Sequence, residues 1–216
     1  MKIPLSKKLK KRLHIETAML QDEVIDIIYS IEENAVLHGG TAICRCYEGN
    51  RFSEDLDFYF PAEESLEDEL ITKLKERNLE LVKYKKTQTV VFAKVSNRDV
   101  EVRLEVNFIS RKKQFIVKPY EKADGSFMDI FTLSADELLV EKINAYKSRR
   151  LIRDIYDIYH LSKYVEKEQE IKENVKNFLS KLEKAADEEN LKVIVYAGAV
   201  PSFNQMVDAL RSRFSI

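Results

Sequence analysis

Three of the five glycines in this 216-residue chain, Gly39, Gly40 and Gly49, fall within eleven residues. Glycine admits left-handed backbone and close approach where a side chain would clash. A chain this poor in it therefore marks the place where its backbone must turn sharply or lie against something. The short apolar run Ala35-Val36-Leu37 leads into the first pair. Beyond it, Leu56-Asp57-Phe58-Tyr59-Phe60 alternates as a strand and is stopped by Pro61. The interval suits a strand–turn–helix–strand return.

The flanking segments have clear periods. Met19, Val24, Ile27, Ile28 and Ile31 recur at helical spacing and predict a helix from Ile15 to Glu33. Acidic residues from Glu63 to Glu69 favour a helix start, with the helix running to about Arg77. Strands are predicted near Leu79–Lys85, Thr89–Val95 and Val100–Phe108, the last alternating Val100, Val102, Leu104 and Val106 against Glu101, Arg103, Glu105 and Asn107. Ser134-Ala135-Asp136-Glu137 reads as a capping box opening a helix through Lys147. After a break near Arg149–Leu151, a second helix runs from Arg153 to about Tyr164, and further helical segments close the chain. Asn190–Gly198 is ambiguous, because Val193, Ile194 and Val195 prefer strand in a helical context. The period changes from two to 3.6 near Leu133, which predicts a core at 1–133 and a helical portion at 134–216 that completes a cleft.

Composition narrows the classes. Lys+Arg number 36 against 37 Asp+Glu, a formal net charge of −1, which excludes a basic nucleic-acid coat protein and a long acidic tail. Near-neutrality hides separated fields: Lys142, Lys147, Arg149, Arg150 and Arg153 form a basic run without an acid between them. Cys44 and Cys46 are the two cysteines, too few for a zinc site, and are expected to be reduced thiols. No stretch is apolar enough for a membrane span, so a cytoplasmic protein without a membrane partner is expected.

Asp55 and Asp57 stand two apart in a strand, so both carboxylates project from one face. Adjacent carboxylates repel unless a cation lies between them, and hard oxygens suit Mg²⁺. The same pattern also occurs as a plain solvent-facing acidic edge. Three neighbours favour the metal: Gly39-Gly40-Thr41 with free backbone N–H groups and a hydroxyl for phosphate, Glu105 as a third acid on a neighbouring strand, and Arg51 and Ser53 just before the pair. His38 precedes the glycines but reads more readily as a packed or solvated histidine. Arg111-Lys112-Lys113, Lys83–Lys86 and Lys7–Arg12 read first as solvated faces, each able to help hold RNA.

Gly39-Gly40-Thr41-Ala42 followed by Arg51-Phe52-Ser53-Glu54-Asp55-Leu56-Asp57-Phe58 resembles the first motif of the AbiEii/AbiGii nucleotidyltransferase toxin family. That family belongs to the polymerase-β-like nucleotidyltransferases and includes the MenT toxins. Arg103-Leu104-Glu105-Val106 resembles its strand with the third acid, although Arg103 stands where Lys is frequent. Lys142, Arg149 and Arg153-Asp154-Ile155-Tyr156-Asp157 resemble its helical motif, and Asn144 falls where the family varies. The three motifs occur in order across roughly residues 35–162.

The resemblance implies an α+β fold, with a mixed-sheet nucleotidyltransferase core, flanking helices and a helical C-terminal portion. It implies that Asp55, Asp57 and Glu105 hold two Mg²⁺ ions, or Mn²⁺, and that Lys142 completes the catalytic set. Gly39, Gly40, Thr41, Arg51, Ser53, Arg149, Arg153, Asp154 and Asp157 would serve the nucleotide. Asp154 and Asp157 would either bind base or ribose, or lock Lys142 and Arg149 in place. The implied activity is transfer of a nucleotide from an NTP to an acceptor hydroxyl, with the tRNA 3′ end as acceptor. The implied context is a type IV toxin–antitoxin system, with a cognate antitoxin as partner. Two alternatives stand beside this: a metal-dependent glycosyltransferase using the Asp-x-Asp site, and a catalytically silent RNA- or protein-binding module.

Overall fold

A computed structural model describes residues 3–61, 66–108 and 115–216. After a single turn, α1 (Leu5–Lys8), the long helix α2 (Arg12–Ile31) leads to β1 (Val36–His38), α3 (Gly39–Cys46) and β2 (Asp55–Phe60). Then come α4 (Leu66–Glu76), a three-strand meander of β3 (Glu80–Lys86), β4 (Val90–Ser96) and β5 (Glu101–Phe108), and a hairpin of β6 (Phe115–Glu121) and β7 (Phe127–Leu133). The remainder is helical: α5 (Ala135–Arg149), α6 (Ile152–Leu161), α7 (Glu168–Leu179), α8 (Leu191–Ile194) and α9 (Phe203–Phe214).

The strands form one mixed seven-stranded sheet in the order β3-β4-β5-β2-β1-β7-β6. β2 runs parallel to β5 and antiparallel to β1, so the centre of the sheet joins segments far apart in sequence. Val91, Val106, Phe58 and Leu37 lie in one registered row across four strands, all fully buried. Tyr29 of α2 meets Phe58 edge-on, which places α2 over this face. Along β2, Leu56, Phe58 and Phe60 are buried while Asp55, Asp57 and Tyr59 are half-buried. A slip of one residue would exchange the two sets. Exposing three such side chains costs about 5–9 kcal/mol, which fixes the register and therefore the face of the aspartates.

The helical third is anchored by local chemistry. The Ser134 hydroxyl accepts the Glu137 N–H to cap α5. Arg150 takes left-handed backbone, φ 51°, and makes the break before α6. In the ambiguous 190–198 stretch the helix wins first: α8 ends at Ile194, and Val195 then forms an isolated antiparallel bridge to Arg51, just before β2. The expected helix at 15–33 lies at Arg12–Ile31, and β6 and β7 are strands that no clear alternation announced. The acidic residues before Leu66 and the Arg111-Lys112-Lys113 run lie outside the described residues. Among the described residues no helix is long and apolar enough to cross a membrane.

Candidate active site

β2 and β5 pair in parallel, with Asp55 opposite Arg103 and Asp57 opposite Glu105. His38, the last residue of β1, pairs with Asp57 on the other side. The glycine turn lies directly against this row. Gly39 has φ +71°, and a Cβ there would come within 2.1 Å of Asp57 Oδ2. A Cβ on Gly40 would meet Ser53 Oγ at 2.4 Å and Arg51 Nη2 at 2.8 Å. Gly39 is required by its backbone angle as well as by this approach, and a side chain at Gly40 would have to displace the Ser53 hydroxyl and the Arg51 guanidinium.

The three acids are held differently. Asp57 is half-buried, and burial pushes its carboxyl up, His38 and Lys142 pull against that, and Asp55 and Glu105 add to the rise. Asp55 is held in a two-pronged pair by Arg103, Nε to Oδ1 at 2.7 Å and Nη2 to Oδ2 at 3.2 Å. Glu105 accepts a hydrogen bond from Asn107 at 3.0 Å. Among the described residues, no three acidic, imidazole or thiol groups already close around one metal position. The donor set nevertheless fits a hard divalent cation: carboxylates on adjacent strands, one desolvated among like charges, beside a Gly39 where any Cβ would press on the Asp57 carboxylate.

Lys142, Arg149, Asp154 and Asp157 meet, joined by Arg51, in a network that is buried except at Arg149, whose side chain is 41% exposed. Arg51 clasps Asp157 with both nitrogens at 2.5 Å. Lys142 Nζ lies 3.0 Å from Asp157 and 3.8 Å from Asp154. Arg149 grips Asp154 at 2.7 and 2.6 Å. Both aspartates are fully buried, and their carboxylates are engaged by Arg51, Lys142 and Arg149. The i,i+4 spacing of Arg153 to Asp157 makes no ion pair, because Asp157 is spent on Arg51 and Lys142. Arg153 Nε is instead buried without a hydrogen-bond partner among the described residues. It lines a cavity of about 130 Å³ with Ser53, Asp55 and Arg103. Thr41 is buried and donates its hydroxyl to the Asp55 carbonyl, tying α3 to β2.

His38, read from sequence as a packed or solvated histidine, stands beside Asp57 with Tyr59 and Glu141, which sequence reasoning did not single out. His38 stacks on Tyr59, ring centres 3.9 Å apart, and its Nδ1 lies 3.3 Å from Glu141, while its buried Nε2 has no partner among the described residues. Tyr59 donates to Glu141 at 2.7 Å. The period of two that places Asp55 and Asp57 on one face also places Tyr59 there, so that residue was findable. A second cavity, about 440 Å³, opens over β3, β4 and β5 and is lined by Asp55, Asp57, Glu105, Phe92 and basic residues.

The model of the nucleotidyl transferase AbiEii toxin family, type IV toxin–antitoxin system, matches residues 28–202. No curated protein sequence matches significantly. Among solved structures, JHP933 from Helicobacter pylori is similar with a TM-score of 0.67 and 18% identity over 95% of this chain and 91% of that one. The MenT4 nucleotidyltransferase toxin from Mycobacterium tuberculosis is similar with a TM-score of 0.55 and 20% identity over 94% and 85%. These likenesses bear out the mixed sheet with flanking helices.

Proposed function

The chain belongs to the AbiEii family of nucleotidyltransferase toxins, and on that premise we propose that it moves a nucleotide from an NTP to the 3′-terminal hydroxyl of tRNA in a Mg²⁺-dependent reaction, as the toxin of a type IV toxin–antitoxin pair. The observation that carries this reading is the acidic row. Asp57 is desolvated beside Glu105 and Asp55, against Gly39, where any Cβ would press on its carboxylate.

Asp55, Asp57 and Glu105 would hold the two ions, Mg²⁺ or Mn²⁺. Bound there, such ions neutralise the transferring phosphoryl group and acidify the attacking hydroxyl. The rest is positioning by the chain itself. Gly40 and the Ser53 hydroxyl offer the triphosphate a close backbone and a donor, and Arg153 brings an unpartnered guanidinium to the same cavity. Lys142 is held between the buried aspartates and the Asp57 field, and so supplies fixed positive charge without reorganising. Arg51, Arg149, Asp154 and Asp157 hold that lysine in place. In the transfer, the acceptor hydroxyl loses its proton to solvent as its oxygen bonds to the α-phosphorus, the bond to the bridging oxygen breaks, and pyrophosphate leaves with that electron pair.

The test uses α-labelled NTPs with tRNA whose 3′ end is intact or periodate-oxidised. The reading expects label on intact tRNA only, and none in EDTA. Equal labelling of both RNAs, or transfer unaffected by EDTA, would contradict it. Absence of NTP binding would favour the silent module.

A further inference from the structure

The acidic row does not stop at β5. Registers across four strands continue it to the sheet edge as two parallel rows on one face: Lys83, Lys94, Arg103, Asp55, and beside it Lys85, Phe92, Glu105, Asp57. Each row spans about 14 Å, three strand spacings. The first is cationic until it reaches Asp55. The second carries an aromatic ring, Phe92, directly opposite Glu105 and 43% exposed. All eight residues line the 440 Å³ cleft.

Lysines on an edge strand are commonly protection against stray pairing. That explanation covers Lys83 and Lys85 on β3. It does not cover Lys94 on the interior strand β4, whose exposed ion pair with Glu101 at 2.9 Å is of the weak kind that a phosphate can displace, nor an exposed phenylalanine set between cations and acids. A ring flanked by cations fits single-stranded nucleic acid, whose phosphates track positive charge while its bases stack on aromatic faces. The cleft and the smaller Ser53–Arg153 cavity share Asp55 and Arg103 as a common wall. An in-line transfer needs attacking and leaving groups on opposite sides of the phosphorus. The two cavities share only Asp55 and Arg103, so one can take the acceptor and the other the donor.

We propose that the exposed face of β3, β4 and β5 is the acceptor platform: Phe92 stacks an unpaired base of the RNA 3′ end, and Lys83 and Lys94 hold its phosphates, delivering the terminal hydroxyl toward Glu105 and Asp57. This rests on the nucleotidyltransferase reading and adds the location and strandedness of the acceptor. The donor nucleotide then enters from the Ser53–Arg153 side.

The experiment measures anisotropy of a short fluorescein-labelled single-stranded RNA ending in CCA, in Mg²⁺ without NTP. Binding of a fluorescent ATP analogue is measured on the same proteins. Phe92→Ala is expected to weaken RNA binding about tenfold, with Phe92→Tyr restoring it, because stacking tolerates the hydroxyl. The Lys83→Ala/Lys94→Ala variant should lower the salt slope of RNA binding by about 1.4, the release from two single-strand phosphates. ATP-analogue binding should stay unchanged throughout, which also shows that the variants fold. Wild-type RNA affinity and salt slope in both variants would overturn the platform. So would a wild type that binds the ATP analogue but not RNA, an outcome that leaves the nucleotidyltransferase reading standing. If the wild type binds RNA through Phe92 but no NTP, the platform survives and the transfer reading falls.

Discussion

Two pairs of aspartates sit a few residues from one another in space and behave in opposite ways. Asp154 and Asp157 are fully buried, yet three cations surround them. Burial pushes the Asp157 carboxyl up, but Arg51 and Lys142, by charge and hydrogen bond, outweigh it, and the group ends below the ordinary aspartate range. Asp55 and Asp57 are less buried and less neutralised, and Asp57 ends above that range. Identical side chains thus report two uses of charge. Where every carboxylate has its cation, the group is architecture. Where burial outweighs the neighbouring cations, as at Asp57, the carboxylate is left under-compensated, and a bound cation would relieve it.

The largest effect on stability should come from breaking the satisfied pair. Asp157→Ala leaves Arg51 and Lys142 buried without their counter-charge, an expected loss of about 3–5 kcal/mol, or about 10 °C in melting temperature. The same comparison has a pH signature. Because the folded Asp157 carboxyl is depressed, its stabilisation is complete above the ordinary aspartate value and disappears as pH falls through the depressed one. Acid titration of thermal stability should therefore fall more steeply for the wild type than for Asp157→Asn. Parallel curves would place the charge coupling elsewhere.

A smaller effect should come from relieving the unsatisfied row. Mg²⁺ at one hundred times its dissociation constant stabilises a folded protein by about 2.7 kcal/mol. Thermal melts should show that rise in the wild type and lose it in Asp57→Asn. An equal rise in both would remove Asp57 from the cation site. Smallest is the Arg103–Asp55 pair. Arg103 is 63% exposed in its side chain, so Arg103→Ala should cost under about 1 kcal/mol. The variant should still shift the Mg²⁺ midpoint of those melts to lower concentration, because Asp55 no longer has a competing cation. An unchanged midpoint would show that the pair does not compete with the ion.

The same contrast explains what could be read from the sequence. The acidic row was legible because a strand's period of two is local: Asp55, Asp57 and Glu105 fall on their faces by alternation alone. The capped start of α5 and the break at Arg150 were legible for the same reason, being set by neighbouring residues. The buried network was half legible. Helical spacing put Lys142 and Arg149 on one face, but the partner of Asp157 is Arg51, 106 residues away, rather than Arg153 four residues before it. Nothing local distinguishes those two arginines, since only the sheet topology brings Arg51 under α6. The row from Asp57 to Phe92 and Lys85 was equally hidden, because register across β3, β4 and β5 is a property of pairing and not of any one segment.

The central claim is that the half-satisfied pair does chemistry while the satisfied pair holds shape. It is tested most directly by the rate of labelled-nucleotide transfer to tRNA by Asp57→Asn. Removing a carboxylate from the transfer site should lower the rate by about a thousandfold or more. The variant's melting temperature without Mg²⁺ should equal or exceed the wild-type value, since a strained buried charge has been removed. Transfer retained within a few-fold, in a protein that melts normally, would contradict the account.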